Sequence, residues 1–246
     1  MEALPIQPSG LLWQDDFITA SHEAELIQIF RTSLPWPQGR TGRLSLHYGY
    51  TFDYKTFGVD PDIPFTPFPA WLQPLIPTQE NRPPDQVCLQ HYPPGAGIPP
   101  HVDTHSAYDQ LYALSLGSPV LMQFAHPGDG NERQKKNVEV DLKPRSLLRM
   151  SGDSRLHWTH GIKKRKTDTL SDGAVRLRKD RWSITYRWIR NPPVCECGDV
   201  RLCDTAQRRV GVEKEYRWKK EDNSTTEVAD SGKAGAEDGA VQMTAT

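Results

Sequence analysis

The sequence predicts an α+β, mainly β chain with an antiparallel jelly-roll core behind one N-terminal helix. Three observations predict it. Beyond residue 85, short apolar runs bounded by Gly and Pro follow one another, the mark of an antiparallel sandwich or jelly roll. Apolar residues at helical spacing open the chain. The chain has 246 residues, room for one sizeable domain that needs no disulfides to bury a core.

Ser21 is placed to cap the helix, with Glu23 and Glu25 in its first turn and Leu26, Ile29 and Phe30 recurring toward Pro35. From 34 to 100 the chain is rich in Pro and aromatic residues, too broken for long helices. There Tyr48, Tyr50, Phe52 and Tyr54 fall on every second residue, which predicts four rings on one strand face. Such a face either packs on the core or holds an extruded base. The apolar runs lie at 87–92, 111–116, 120–124, 138–142, 146–150 and 182–189. The domain is expected over 1–205, followed by a polar tail, 206–246, with too few large apolar residues to offset the entropy of ordering it.

A net charge of −1, from 30 Lys and Arg against 31 Asp and Glu, neither advertises nor excludes a nucleic-acid partner. No stretch approaches the ~20 apolar residues of a membrane span, and residues 1–12 lack a signal pattern, so no membrane and a cytoplasmic, or also nuclear, location are expected. Cys195, Cys197 and Cys203 lie within nine residues, which suggests metal rather than disulfide. Cys88 reads as packing on a core strand.

The segment His101-Val102-Asp103 places two side chains on one face of a strand. Two imidazoles and a carboxylate would leave three positions open on Fe(II), enough for a bidentate 2-oxoacid and O2. His157 and His160 both lie at a suitable distance for the third ligand, and spacing does not separate them. In the last run, alternation sends Arg181, Ser183, Thr185 and Arg187 to one side. Two inward arginines call for an anion, and six residues of strand, ~20 Å, leave between them a gap suited to a five-carbon dicarboxylate.

Together these residues resemble the AlkB family of 2-oxoglutarate dioxygenases. The likeness runs over about 10–205: Tyr92-Pro93-Pro94-Gly95, His101-x-Asp103, Leu114-Ser115-Leu116-Gly117, Gly152-Asp153-Ser154-Arg155, His160-Gly161-Ile162 and the two arginines six apart. It implies a double-stranded β-helix with a nucleotide-recognition lid, and it selects His160 over His157. It carries cosubstrate binding to Arg181 and Arg187, with Tyr92 as a hydroxyl donor. Gln90 and Ser183 line the same pocket, each standing where bacterial members have Asn.

The segment 98–107 is similar to the branch that hydroxylates a modified wobble uridine in tRNA, in which three cysteines and the His after the iron Asp bind zinc. Here these are Cys195, Cys197, Cys203 and His105. The resemblance thus implies Fe(II), 2-oxoglutarate and a structural zinc ion, tRNA as partner, and a separate methyltransferase that makes the ester substrate. Oxidative demethylation of alkylated bases is the second reading, and a non-catalytic RNA-binding scaffold the third. The RNA-recognition and methyltransferase domains of animal members are missing from this chain, so RNA affinity is expected from 163–181, where eight basic residues face three acids.

Overall fold

The computed structural model describes residues 1–53, 55–126, 128 and 137–212. The N-terminal part contains β1 (Glu2–Ala3), β2 (Leu11–Gln14), α1 (Ala20–Thr32), β3 (Leu44–Gly49), β4 (Phe52–Asp53) and β5 (Gly58–Val59). Next come β6 (Gln86–Tyr92), β7 (Ile98–His101), β8 (Ala107–Gly117), β9 (Val120–Ala125), β10 (Asn137–Leu142) and β11 (Leu147–Met150). The chain continues through α2 (Asp153–Leu156), β12 (Thr159–Ile162), β13 (Thr167–Thr169), β14 (Val175–Leu177), β15 (Arg181–Ile189) and α3 (Asp204–Arg209).

The strands form a seven-stranded sheet in the order β1-β2-β11-β8-β15-β6-β3 and a four-stranded sheet in the order β10-β9-β12-β7. All six apolar runs are strands of these sheets. Alternation sorts the larger sheet's faces. Trp182, Ile184, Tyr186 and Trp188 of β15 pack with Leu26 and Phe30 of α1 on the outer face. On the inner face Leu11, Tyr92, Leu148 and Met150 meet Val120, Met122, Phe124 and Trp158 of the smaller sheet and its connections. Arg181, Ser183, Thr185 and Arg187 therefore point between the sheets.

Several expectations change. The helix is capped by Thr19, which is extended (φ −74°, ψ 161°) and accepts from His22 N, while Ser21 already lies inside the first turn. Glu23 is buried because it accepts from Gly117 N at 2.8 Å and from Arg145 at 3.0 Å. Tyr48, Tyr50 and Phe52 do not share a face. At Gly49, φ +86°, a Cβ would stand 2.2 Å from Asp85 O, so the chain turns there as only glycine can. Tyr48 then packs edge-on against Trp71, Tyr50 pairs with Phe65 and Phe52 with Phe57. Tyr54 lies outside the described residues.

Across the expected boundary at 205, α3 runs from Asp204 to Arg209 with Cys203 accepting from Ala206 N as its cap. The tail from 213 onward lies outside the described residues. No helix among the described residues is long and apolar enough to cross a membrane.

Candidate active site

The site begins with two neighbouring strands. His101 on β7 and His160 on β12 are direct cross-strand partners, with ring centroids 4.4 Å apart. Gly161 permits the approach, because a Cβ there would come within 2.9 Å of Pro100 N. Asp103 follows just past the end of β7, its Oδ1 3.5 Å from His101 Nε2. One donor atom from each of His101, Asp103 and His160 falls within 4.8 Å of the others.

Their electrostatics suit a cation. His101 Nδ1 lies 2.9 Å from Pro99 O, a group that can only accept. The proton is therefore on Nδ1, and the lone pair of Nε2 faces Asp103. Burial, with His101 adding to it, lowers the His160 pKa to about 3, so this ring is neutral. Burial alone would raise the Asp103 pKa, but the Arg187 guanidinium beside it keeps the carboxyl well below the usual range. His157, the other candidate, is turned away and lies 3.1 Å from Asp199 Oδ2.

The two arginines of β15 have different surroundings. Arg187 Nε donates to Asp103 Oδ2 at 2.9 Å, so it holds the carboxylate of the triad. Arg181 is 3% exposed, stacks 5.1 Å over the Tyr92 ring and donates from Nη2 to Ser115 Oγ at 3.0 Å. Its Nε and Nη1 are buried without a partner. A desolvated cation with two unmet donors, on the sheet face that also carries the Asp103 partner, fits a carboxylate ligand. Ser183 and Gln90 sit side by side on β15 and β6, and the Tyr92 hydroxyl is committed to Gln90 Oε1 at 2.6 Å.

Two residues past Asp103, a second group assembles. His105, Cys195, Cys197 and Cys203 each bring one donor atom within 4.8 Å of the others, and the thiols are free. Cys197 Sγ lies 3.4 Å from His105 Nδ1, while His105 Nε2 has no partner. Burial, with the neighbouring thiols adding to it, pushes the Cys197 pKa up to about 12. Four soft or borderline donors in a closed set match the preference of zinc.

Sequence reasoning quoted Arg155 only as the end of the resembling segment 152–155 and gave it no role. This residue of α2 is 1% exposed and donates to Asp103 O at 2.9 Å and Thr104 O at 2.6 Å. It braces the segment that links the two donor groups, with Asp204 accepting from His105 N at 3.0 Å. Arg155 has no partner in sequence, which is why no spacing pointed to it.

The basic stretch 163–181 is less available than its composition suggested. It folds into the β13–β14 hairpin around Asp168, which takes Arg178 at 2.6 Å and Arg165 at 2.8 Å. Arg176 pairs with Asp141 at 2.6 Å and Lys163 with Glu139 at 3.5 Å. Lys164, Lys166 and Lys179 are exposed.

Comparison with known proteins agrees with this geometry. Residues 10–187 match the model of the 2OG-Fe(II) oxygenase superfamily. The chain is 37% identical over 235 residues to the tRNA (carboxymethyluridine(34)-5-O)-methyltransferase alkbh8 of Xenopus tropicalis, covering 82% of this chain and 35% of that protein. It is 32% identical over 222 residues to the alkylated DNA repair protein ALKBH8 homolog of Arabidopsis thaliana, covering 81% of this chain and 63% of that protein. The chain thus spans about a third of the frog relative's length. The solved structure of OsALKBH1 shares the fold, with a TM-score of 0.51 at 18% identity, covering 76% of this chain and 100% of that one. The family match takes in both sheets from β2 to β15, and the chain therefore belongs to the 2OG-Fe(II) oxygenase superfamily, as a 2-oxoglutarate-dependent dioxygenase of AlkB type.

Proposed function

We propose that this chain hydroxylates a modified wobble uridine in tRNA. The observation that carries the oxygenase part is the buried Arg181, with two unmet donors on the face that also bears Arg187, the partner of Asp103. The substrate reading is supported by the frog relative, whose name specifies a carboxymethylated uridine at tRNA position 34.

His101, Asp103 and His160 would hold Fe(II). With 2-oxoglutarate and O2, the bound metal supplies an oxidation that inserts one oxygen into a substrate C–H bond and releases succinate and CO2. The protein contributes binding and orientation. Arg181 takes a carboxylate of the cosubstrate beside Tyr92, Gln90 and Ser183. Arg187 fixes the Asp103 carboxylate, so the three donors would keep one arrangement. The apolar inner residues around Phe124 and Trp158 shield this space from water. His105, Cys195, Cys197 and Cys203 would hold a structural zinc ion.

A base stacked in a duplex does not reach such a pocket, and an anticodon-loop base does. Lys166 lies against the Gly95 turn that leads into β7, where its Cγ is 3.6 Å from the position of a Cβ on Gly95. Together with Lys164 it offers charge for phosphates near the mouth. The ester substrate would come from a separate methyltransferase, in the cytoplasm or the nucleus.

The test is incubation of Fe(II)-loaded protein with O2, 2-oxoglutarate and tRNA from cells lacking this protein, followed by mass spectrometry of the nucleosides. A wobble ester nucleoside heavier by one oxygen atom, absent with His101→Ala, is the expected result. Loss of methyl groups from alkylated bases, with the wobble position unchanged, would replace this reading by base demethylation. Succinate formation with neither change would reject both substrates.

A further inference from the structure

The C-terminal segment touches two places at once. Through Asp204, which accepts from His105 N, and through the cysteines gathered at His105, it meets the segment just past β7, two residues beyond Asp103. Through α3 it meets the β4–β5 hairpin: the Arg208 guanidinium lies 4.8 Å over the Phe57 ring and donates to Lys55 O. Pro193 also approaches, with Cγ 3.5 Å from where a Cβ on Gly58 would stand. Phe57 is 7% exposed and left-handed, φ +60°, a conformation a bulky residue keeps only when its surroundings hold it.

The hairpin needs such a hold. Its two strands pair only Phe52 with Val59 and Asp53 with Gly58, far too little for an isolated hairpin to be stable. Its position is relevant to catalysis. It leaves β3 at Gly49, which pairs with Gln86, which in turn pairs with Arg187, the partner of Asp103. Two strand spacings, ~10 Å, separate the start of this excursion from Arg187.

We propose that Arg208 is a positioning residue that latches the β4–β5 hairpin to the cysteine-bearing segment, and that the latched hairpin forms a wall for the RNA substrate. The latch sets RNA affinity and leaves 2-oxoglutarate binding alone, because the cosubstrate would lie at Arg181, at the opposite end of β15 from Arg187. This inference rests on the RNA reading above for its ligand, while the latch itself is a property of the fold. Arg208 does not touch the substrate in this account; it acts through Phe57.

The experiment compares full-length wild type, Arg208→Ala, Phe57→Leu and the double variant. It reads amide hydrogen exchange at 55–59, KM for an anticodon stem-loop RNA carrying the wobble ester, and KM for 2-oxoglutarate in RNA-free succinate formation. Each single variant should speed exchange of the hairpin amides and raise the stem-loop KM about 3- to 10-fold, the range of one ring–cation contact. The 2-oxoglutarate KM should stay unchanged, and the double variant should be no worse than the worse single one, since both remove the same contact. If Arg208→Ala weakens RNA binding while Phe57→Leu does not and exchange is unaltered, Arg208 contacts phosphate directly and the latch is wrong. Unchanged exchange in both variants overturns it too. A wild type that neither binds nor oxidises the stem-loop would instead reject the RNA reading, and the exchange data would still decide the latch.

Discussion

Arg178 and Arg181 are three residues apart, both buried, at 5% and 3% exposure, yet they have opposite surroundings. Arg178 spends its donors inside the protein: Nε and Nη2 on Asp168 at 3.0 and 2.6 Å, and Nη1 on Lys163 O at 2.7 Å. Arg181 has one hydroxyl partner and two unmet nitrogens. Burying a charge is costly unless it is matched. The matched arginine ties the β13–β14 hairpin to the sheets, and the unmatched one keeps two buried donors without a partner. A stretch that composition presents as one basic patch thus holds a matched and an unmatched cation side by side.

The largest effect should come from breaking the matched side. Asp168→Asn leaves Arg178 buried without its carboxylate and should cost about 3–5 kcal/mol of stability in urea unfolding. Burial would raise the Asp168 pKa, but the hydrogen bonds from Arg178 and Arg165 lower it below the usual value. Its stabilisation is therefore fully present above about pH 4 and is lost as pH falls through the depressed folded value. If the variant unfolds like wild type, Arg178 is not the uncompensated charge the geometry makes it.

The unmatched side should respond in the opposite sense. Arg181→Met removes no satisfied ion pair, so stability should hold or rise, while KM for 2-oxoglutarate should increase on the order of 100-fold, from about 3 kcal/mol of lost charge-assisted bonds. Cosubstrate at a hundred times its Kd should stabilise wild type by about 2.7 kcal/mol. Thermal unfolding should show that gain vanish in the variant; an equal gain in both would move the cosubstrate away from Arg181.

Arg155 sharpens the comparison, since its charge is spent on main-chain carbonyls between two donor groups. Arg155→Lys keeps the charge but loses the fork, and should weaken Fe(II) affinity roughly 10-fold, as groups that orient ligands do. Anaerobic metal titration measures it. The smallest effect is expected on the surface: Lys164→Glu with Lys166→Glu should weaken tRNA binding a few-fold and flatten its salt dependence, with RNA-free succinate formation intact.

Much of the fold was legible because buried strands advertise themselves. β6, β8, β9, β10, β11 and β15 are apolar runs between turn residues, and the structure places strands at all of them. β7 runs over Ile98–His101 where a strand was expected at His101–Asp103, because Pro99 and Pro100 hid its start; an outer strand of the smaller sheet tolerates them. Thr19 and Ser21 are chemically equivalent caps, so the choice between them depended on where the backbone turns. The alternation of rings at 48–54 was misleading because period two says nothing about a glycine that breaks the strand at Gly49. The triad was legible in part: His101 and Asp103 by spacing, and His160 over His157 only through family resemblance.

By itself, the sequence determined the residue types of both donor groups, the inward face of β15 and the mainly β class, because these follow from local periodicity and ligand chemistry. Only the tertiary structure decided that His160 faces His101, that Arg187 serves Asp103 while Arg181 keeps its donors open, and that Arg155 and Arg208 brace segments far from them in the chain. Those outcomes depend on which groups meet across strands, and cross-strand partners at long sequence separation leave no trace in local pattern.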